Sequence, residues 1–224
     1  MILEVCAYNI QSCFIAEKNG ASRIELCSDP LQGGTTPSYG VIQYALNKIS
    51  IPVFPMIRPR GGDFIYDTDE LAIIKKDILV CRELGCPGIA TGIQLPGGHI
   101  DADNLKRIVE WAHPMAVTCH KVFDGTPDAF VALEDVISAG CTRILTSGLC
   151  KTALEGAKLI SQLIARSAGR IIIMPGGSVR SSNIALLAGQ TGANEYHSSA
   201  LVSKGVNHIA DGNEIRSIVA TLSR

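Results

Sequence analysis

The order of patterns along this 224-residue chain predicts an α/β fold, a single (β/α)8 barrel of the TIM type spanning residues 1–224. Three observations carry that expectation. Eight short runs suited to β-strands recur along the chain, amphipathic stretches separate them, and several of those stretches end in glycine. Strands that alternate with helices build a parallel sheet, and eight such units close it into a barrel. No linker, low-complexity tract or charge block divides the chain, and its length is ordinary for one such domain.

The strand runs are, in order, "ILEVCA" (2–7), "SRIELC" (22–27), "PVFPMIR" (52–58), "GIATGIQ" (88–94), "AVTCHK" (116–121), "TRILTS" (142–147), "RIIIMP" (170–175) and "NEYHSS" (194–199). Helical patterns between them cover 10–20, 69–85, 103–112, 126–140, 153–169 and 181–192. Gly20, Gly85, Gly140 and Gly169 stand at the position just past a helix end, where a left-handed residue closes the last turn.

Composition removes several function classes. The net charge is -1 and hydrophobic residues make up 46% of the chain, with no run of Lys or Arg. That balance lacks the electrostatic footprint of a nucleic-acid or anionic-membrane partner. No apolar segment approaches a membrane span, and Glu4 interrupts the N-terminal apolar run, so a soluble, cytoplasmic protein is expected. The eight cysteines include no C-x-x-C pair, and in a chain of this size most are expected to be reduced and buried.

Alternation along each strand sorts side chains between the barrel interior and the helices. Leu3, Val5, Ile24 and Leu26 take the helix side, which leaves Glu4, Cys6, Arg23, Glu25 and Cys27 inside. The same parity puts Glu195 with His197, His120 with Thr118, and Arg58 with Phe54 and Met56. Buried carboxylates need partners, so this set is either an ion-paired layer that stabilises the barrel or a functional pocket. Two chemistries fit a pocket. Cys6 and Cys27, on adjacent strands at equivalent parity, suit a soft metal such as Cu(I), or zinc. Glu25, His120, Glu195 and His197 suit acid–base catalysis, with Arg58 holding an anionic substrate.

The loops that follow the strands form the functional rim of this fold. "MIRPRGGDF" carries Arg58 and Arg60 there, "RILTSG" carries Ser147 and Gly148, and "MPGGSVRSSN" carries Gly176 and Gly177 ahead of a helix start near Ser181 and Ser182. Exposed backbone N–H groups before a helix suit a phosphate or carboxylate, so Arg60, Ser147, Gly148, Gly176 and Gly177 are candidates for an anion site.

Read together, "EVCAYN", "RIELC", "GGTTPSYG", "MIRPRGGDF", "GHID", "RILTSG", "MPGG" and "EYHSS" occur in the order of the CutC family, and the chain resembles it from about Glu4 to Ser199. The resemblance implies a (β/α)8 barrel, a cytosolic setting, a homo-oligomer and a role in copper homeostasis, with Cys6 and Cys27 matching the proposed Cu(I) ligands. Two positions depart from the family pattern. Lys121 stands where an arginine is usual, which keeps the charge but loses the bidentate fork, and Ser178 stands where a glycine is usual. The alternative function is that of a TIM-barrel enzyme acting on a small anionic metabolite, phosphorylated or carboxylated. A homodimer or higher homo-oligomer also accords with the mean hydropathy of +0.24 and with the broad apolar face of residues 153–169.

Overall fold

A computed structural model describes residues 1–201 and 208–223; residues 202–207 and Arg224, which the single-domain expectation includes, lie outside the described residues. The strands are β1 (Ile2–Ala7), β2 (Arg23–Leu26), β3 (Val53–Pro55), β4 (Gly88–Thr91), β5 (Ala116–Cys119), β6 (Arg143–Thr146), β7 (Ile172–Pro175) and β8 (Glu195–Ser198). The helices are α1 (Ile10–Lys18), α2 (Tyr39–Lys48), α3 (Thr68–Glu83), α4 (Ala102–Ala112), α5 (Ala129–Ser138), α6 (Ala157–Ser167), α7 (Ile184–Thr191) and α8 (Gly212–Leu222). All eight strand runs lie where the sequence places them; β1 matches its run in full and the other seven are shorter than theirs. Helices α2 and α8 are additions to the six patterns read above.

The strands pair in parallel as two four-stranded halves, β3-β2-β1-β8 and β4-β5-β6-β7. Single bridges, Met56 to Ala90 and Gly176 to His197, join the halves and close the barrel. Both seams need small residues. A side chain at Gly88 would strike the Phe54 ring, and one at Gly176 would strike Leu145.

Helices form where apolar residues recur every three or four positions and a polar side chain satisfies the first free N–H groups. In α3, Ile74, Ile78 and Cys81 make the buried stripe, and Asp67 with Glu70 forms a capping box. In α8, Ile215, Ile218 and Leu222 do the same, and Asp211 accepts from the Glu214 N–H. Gly20, Gly85, Gly140 and Gly169 all take positive φ, as expected of helix-ending residues. The main core lies between the barrel wall and the helices, and includes Leu3, Val5, Ile24 and Leu26 as the parity reading expects. No helix among the described residues is long and apolar enough to cross a membrane.

Candidate functional site

The inward side chains divide into two layers. In the lower one, the Arg23 guanidinium donates to Glu4 and to Glu195, the latter at 2.6 Å, and Arg143 donates from Nε to the same Glu195 oxygen at 2.6 Å. Two carboxylates thus meet two guanidinium groups, and the Phe54 ring lies beside both arginines at 5.3 and 5.8 Å. Burial would raise the Glu195 carboxyl, but Arg143 and Arg23 outweigh it and hold it below the usual range. Glu195 is therefore part of a charge-balanced floor, which is the stabilising alternative to a pocket. Arg143 was not singled out from the sequence. The isolated arginine in "TRILTS" is its signal.

The upper layer lies one pleat higher. Cys6 pairs in register with Glu25, and Cys27 continues β2 past it, so the two sulfurs meet diagonally at 3.8 Å. Cys27 Sγ also lies 3.5 Å from Glu25 Oε2. His197 joins from β8, with Nδ1 2.7 Å from Glu4 and Nε2 3.9 Å from Glu25. No cation from Arg or Lys pairs with Glu25 among the described residues, and its Oε1 has no hydrogen-bond partner there.

Electrostatics follow from that arrangement. Burial, then the negative charge at Cys6, pushes the Glu25 carboxyl well above the ordinary range. The hydrogen bond between the two sulfurs lowers the Cys6 thiol despite burial, with His197 assisting, while the same bond and burial raise Cys27. Burial would lower His197, yet Glu25, Cys6 and Glu4 together lift it well above its usual value. Against the burial that would raise it, His197 and Arg23 pull Glu4 down to about 2. Cys6, Glu25 and Cys27 offer ligand atoms within 4.8 Å of one another, as do Glu4, Glu25 and His197. Buried thiols beside the Met56 side chain form a soft donor set, and the unpartnered Glu25 oxygen is a further donor atom. The residues fit a thiophilic cation.

Above this layer sits a cavity of about 110 Å³ lined by Cys6, Tyr8, Glu25, Met56, Arg58, Phe64, His120, Lys121, Leu145 and His197, among others. Tyr8 extends the inward parity of Glu4 and Cys6, a signal the sequence reading left unused. A neighbouring cavity of about 140 Å³ shares Cys6, Tyr8, Lys121 and His197 and reaches Gly177, Ser178 and Arg180. A larger cavity, about 540 Å³, opens around Met1, Ile2, Ile172 and Glu195, at the strand starts, away from the thiols.

The rim candidates are distributed differently from expectation. Arg58 is buried and points toward the mouth, but it meets backbone carbonyls and not acids: it donates to Gln32, Gly34 and Gly62. Arg60 turns away to Glu70 and Asp63 over the Tyr66 ring, so it is not brought to the mouth. Ser147 and Gly148 do not present free donors. Asp124 accepts from the Ser147 and Leu149 N–H groups and the Ser147 hydroxyl, and the Gly148 N–H goes to Thr146 Oγ1. Gly176 serves the seam, and Gly177, with a φ of 113°, borders the second cavity. Helix α7 starts three residues later than read, and Ser181 donates both its N–H and its hydroxyl to Glu214. Ser178 itself adopts a φ of 56°, a conformation that favours the glycine of the family pattern.

The floor, the thiol–carboxylate–imidazole layer and the rim cavity define a TIM-barrel protein whose candidate site lies at the C-terminal mouth of the strands. The chain belongs to the CutC family, whose model matches residues 1–202. A family protein CutC of Parabacteroides distasonis is 48% identical over 202 residues, covering 89% of this chain and 82% of that one. The copper homeostasis protein cutC homolog of Mus musculus is 44% identical over 203 residues, covering 91% and 75%. A crystal structure of a CutC protein from Streptococcus agalactiae aligns with a TM-score of 0.84 at 35% identity, covering 89% of this chain and 98% of that one.

Proposed function

We propose that this chain is a one-domain, cytoplasmic copper-homeostasis protein that binds Cu(I) through Cys6 and Cys27 and assembles as a homo-oligomer. The observation that carries the metal assignment is the buried pair of sulfurs 3.8 Å apart beside an unpartnered Glu25 oxygen. Thiolates favour soft and borderline metals, Cu(I) and zinc among them, and the names of relatives favour copper. Copper is cargo in this reading, so the chain's own work is to ease deprotonation of Cys6, exclude water and hold both sulfurs in place. Cys6 is prepared for that role by the Cys27 hydrogen bond and by His197. The names of mammalian relatives support the copper reading. Exposed Phe130, Val131 and Leu186 on the outer helices support the oligomer.

Titration of reduced protein with Cu(I) against a competing chelator tests the assignment. Cys6→Ser with Cys27→Ser should weaken Cu(I) binding by more than about 100-fold, since loss of residues that merely orient ligands already costs roughly 10–100-fold. Unchanged affinity in the double variant would remove the assignment. The exposed Cys150 should be replaced in both proteins, because a surface thiol also takes up Cu(I).

A further inference from the structure

We propose that Glu25 and His197 complete, with Cys6 and Cys27, a four-coordinate Zn(II) site. This site rests on the thiol pair of the copper reading, and its test does not involve copper. The four donors come from three neighbouring strands: Cys6 from β1, Glu25 from β2, Cys27 from the residue that follows β2, and His197 from β8. Glu25 is 3% exposed, and its Oε1 has no partner among the described residues. A carboxylate oxygen suits harder ions than Cu(I), whereas a set of sulfur, nitrogen and oxygen donors suits tetrahedral zinc.

The separations agree with that geometry. Zn–S bonds of about 2.3 Å set two sulfurs about 3.8 Å apart in a tetrahedron, and the Cys6 and Cys27 sulfurs lie at 3.8 Å. A sulfur and a carboxylate oxygen on the same ion stand about 3.6 Å apart, against 3.5 Å for Cys27 Sγ and Glu25 Oε2. His197 Nε2 lies 3.9 Å from that oxygen, where bonding to one ion needs about 3.4 Å, so the ring has only to close inward. The ring is already hydrogen-bonded to Cys6.

The surroundings prepare His197 as a ligand. Its Nδ1 lies 2.7 Å from Glu4 Oε1, and Arg23 in turn holds Glu4. A carboxylate that accepts from Nδ1–H leaves Nε2 as the lone-pair nitrogen and fixes the ring, the usual support of a zinc-bound histidine. Charge also favours a divalent ion. With both thiols deprotonated and Glu25 ionised, the ligands carry three negative charges, and no Arg or Lys pairs with Glu25 among the described residues. Zn(II) offsets two of those charges and Cu(I) one, and buried charge left uncompensated is costly. The ion has a route in, because Cys6, Glu25 and His197 all line the cavity of about 110 Å³ above the layer.

The test uses copper-free, reduced protein with Cys150→Ser, loaded with one equivalent of Zn(II). X-ray absorption should show two sulfurs at about 2.3 Å and two nitrogen or oxygen neighbours at about 2.0–2.2 Å. In chelator competition, Glu25→Gln and His197→Gln should each weaken Zn(II) binding by more than about tenfold, since residues that merely orient ligands already account for roughly 10–100-fold. Glu25 has no Arg or Lys partner to orphan, so its variant decides the matter if His197→Gln does not fold. A zinc shell of sulfur alone, a shell with no sulfur, or unchanged Zn(II) affinity in Glu25→Gln overturns the proposal. The copper reading falls on a separate measurement, the Cu(I) titration of the double cysteine variant, so the two failures are distinguishable.

Discussion

The two layers of the barrel interior lie only about 7 Å apart along the strands, one step of the side-chain alternation, yet they treat buried charge in opposite ways. The lower layer matches Glu4 and Glu195 with Arg23 and Arg143 and leaves none of these side chains unpaired. The upper layer buries Glu25, Cys6 and Cys27 with only His197 to compensate them. A balanced layer gives rigidity and has no capacity for a ligand. In the upper layer burial pushes Glu25 and Cys27 toward their neutral forms, so a cation can take the place of their protons. The comparison therefore separates a structural layer from a candidate ligand layer within one barrel, and it makes the division open to experiment.

The largest expected effect is a matched pair of isosteric changes. Glu195→Gln leaves Arg143 and part of Arg23 buried without a counter-charge and should cost about 3–5 kcal/mol. Glu25→Gln removes a carboxyl that burial disfavours and that has an unpartnered oxygen, so stability should change by less than about 1 kcal/mol or increase. Urea denaturation of copper-free protein measures both. Equal losses would erase the distinction between the layers.

Most of this was legible in the sequence because strand alternation is a strict rule. Glu4, Cys6, Arg23, Glu25, Cys27, Glu195 and His197 all point inward as parity dictates. The split into layers was not legible, because it depends on register between strands that are distant in sequence, as when Glu195 meets Arg23 and Arg143. The rim was read least well. A loop cation binds whichever acceptor the folded loop brings nearest, and for Arg58 these are three carbonyls. The anion site read around Ser147 offers no free donor there, because Asp124 takes the Ser147 N–H and hydroxyl. Helix α8 did leave a signal, Asp211 three residues before Glu214, that went unused.

The next effect concerns pH and sharpens the contrast between the mouth and the rest of the molecule. Burial and the charge on Arg58 hold native His120 down to about 3, against an ordinary 6.5. Between those values the unfolded chain binds a proton that the native chain refuses, so this residue's contribution to stability is full above 6.5 and falls as the pH drops. One such group gives about 1.4 kcal/mol per pH unit. Glu4, held at about 2, acts with the same sign below about 4.5, whereas His197 and Glu25 are raised and act oppositely. The observable is thus a difference. Between pH 6 and 4.5, unfolding free energy should decline less steeply in His120→Phe than in wild type, by about that slope. Parallel profiles would mean that native His120 titrates normally.

The smallest effect separates the two arginines of "MIRPRGGDF". Arg58 is 5% exposed and ties three loop carbonyls together beneath the mouth, whereas the Arg60 side chain is 39% exposed and spends its charge on Glu70 and Asp63. Surface pairs of that kind are screened by water and contribute little. Arg60 also lies outside the lining of both mouth cavities. Arg60→Ala should therefore leave Cu(I) affinity unchanged and move the unfolding midpoint only slightly. If Arg60→Ala instead weakens Cu(I) binding, the rim loop reaches the mouth when metal is bound, and Arg60 regains the ligand-holding role its sequence position suggests.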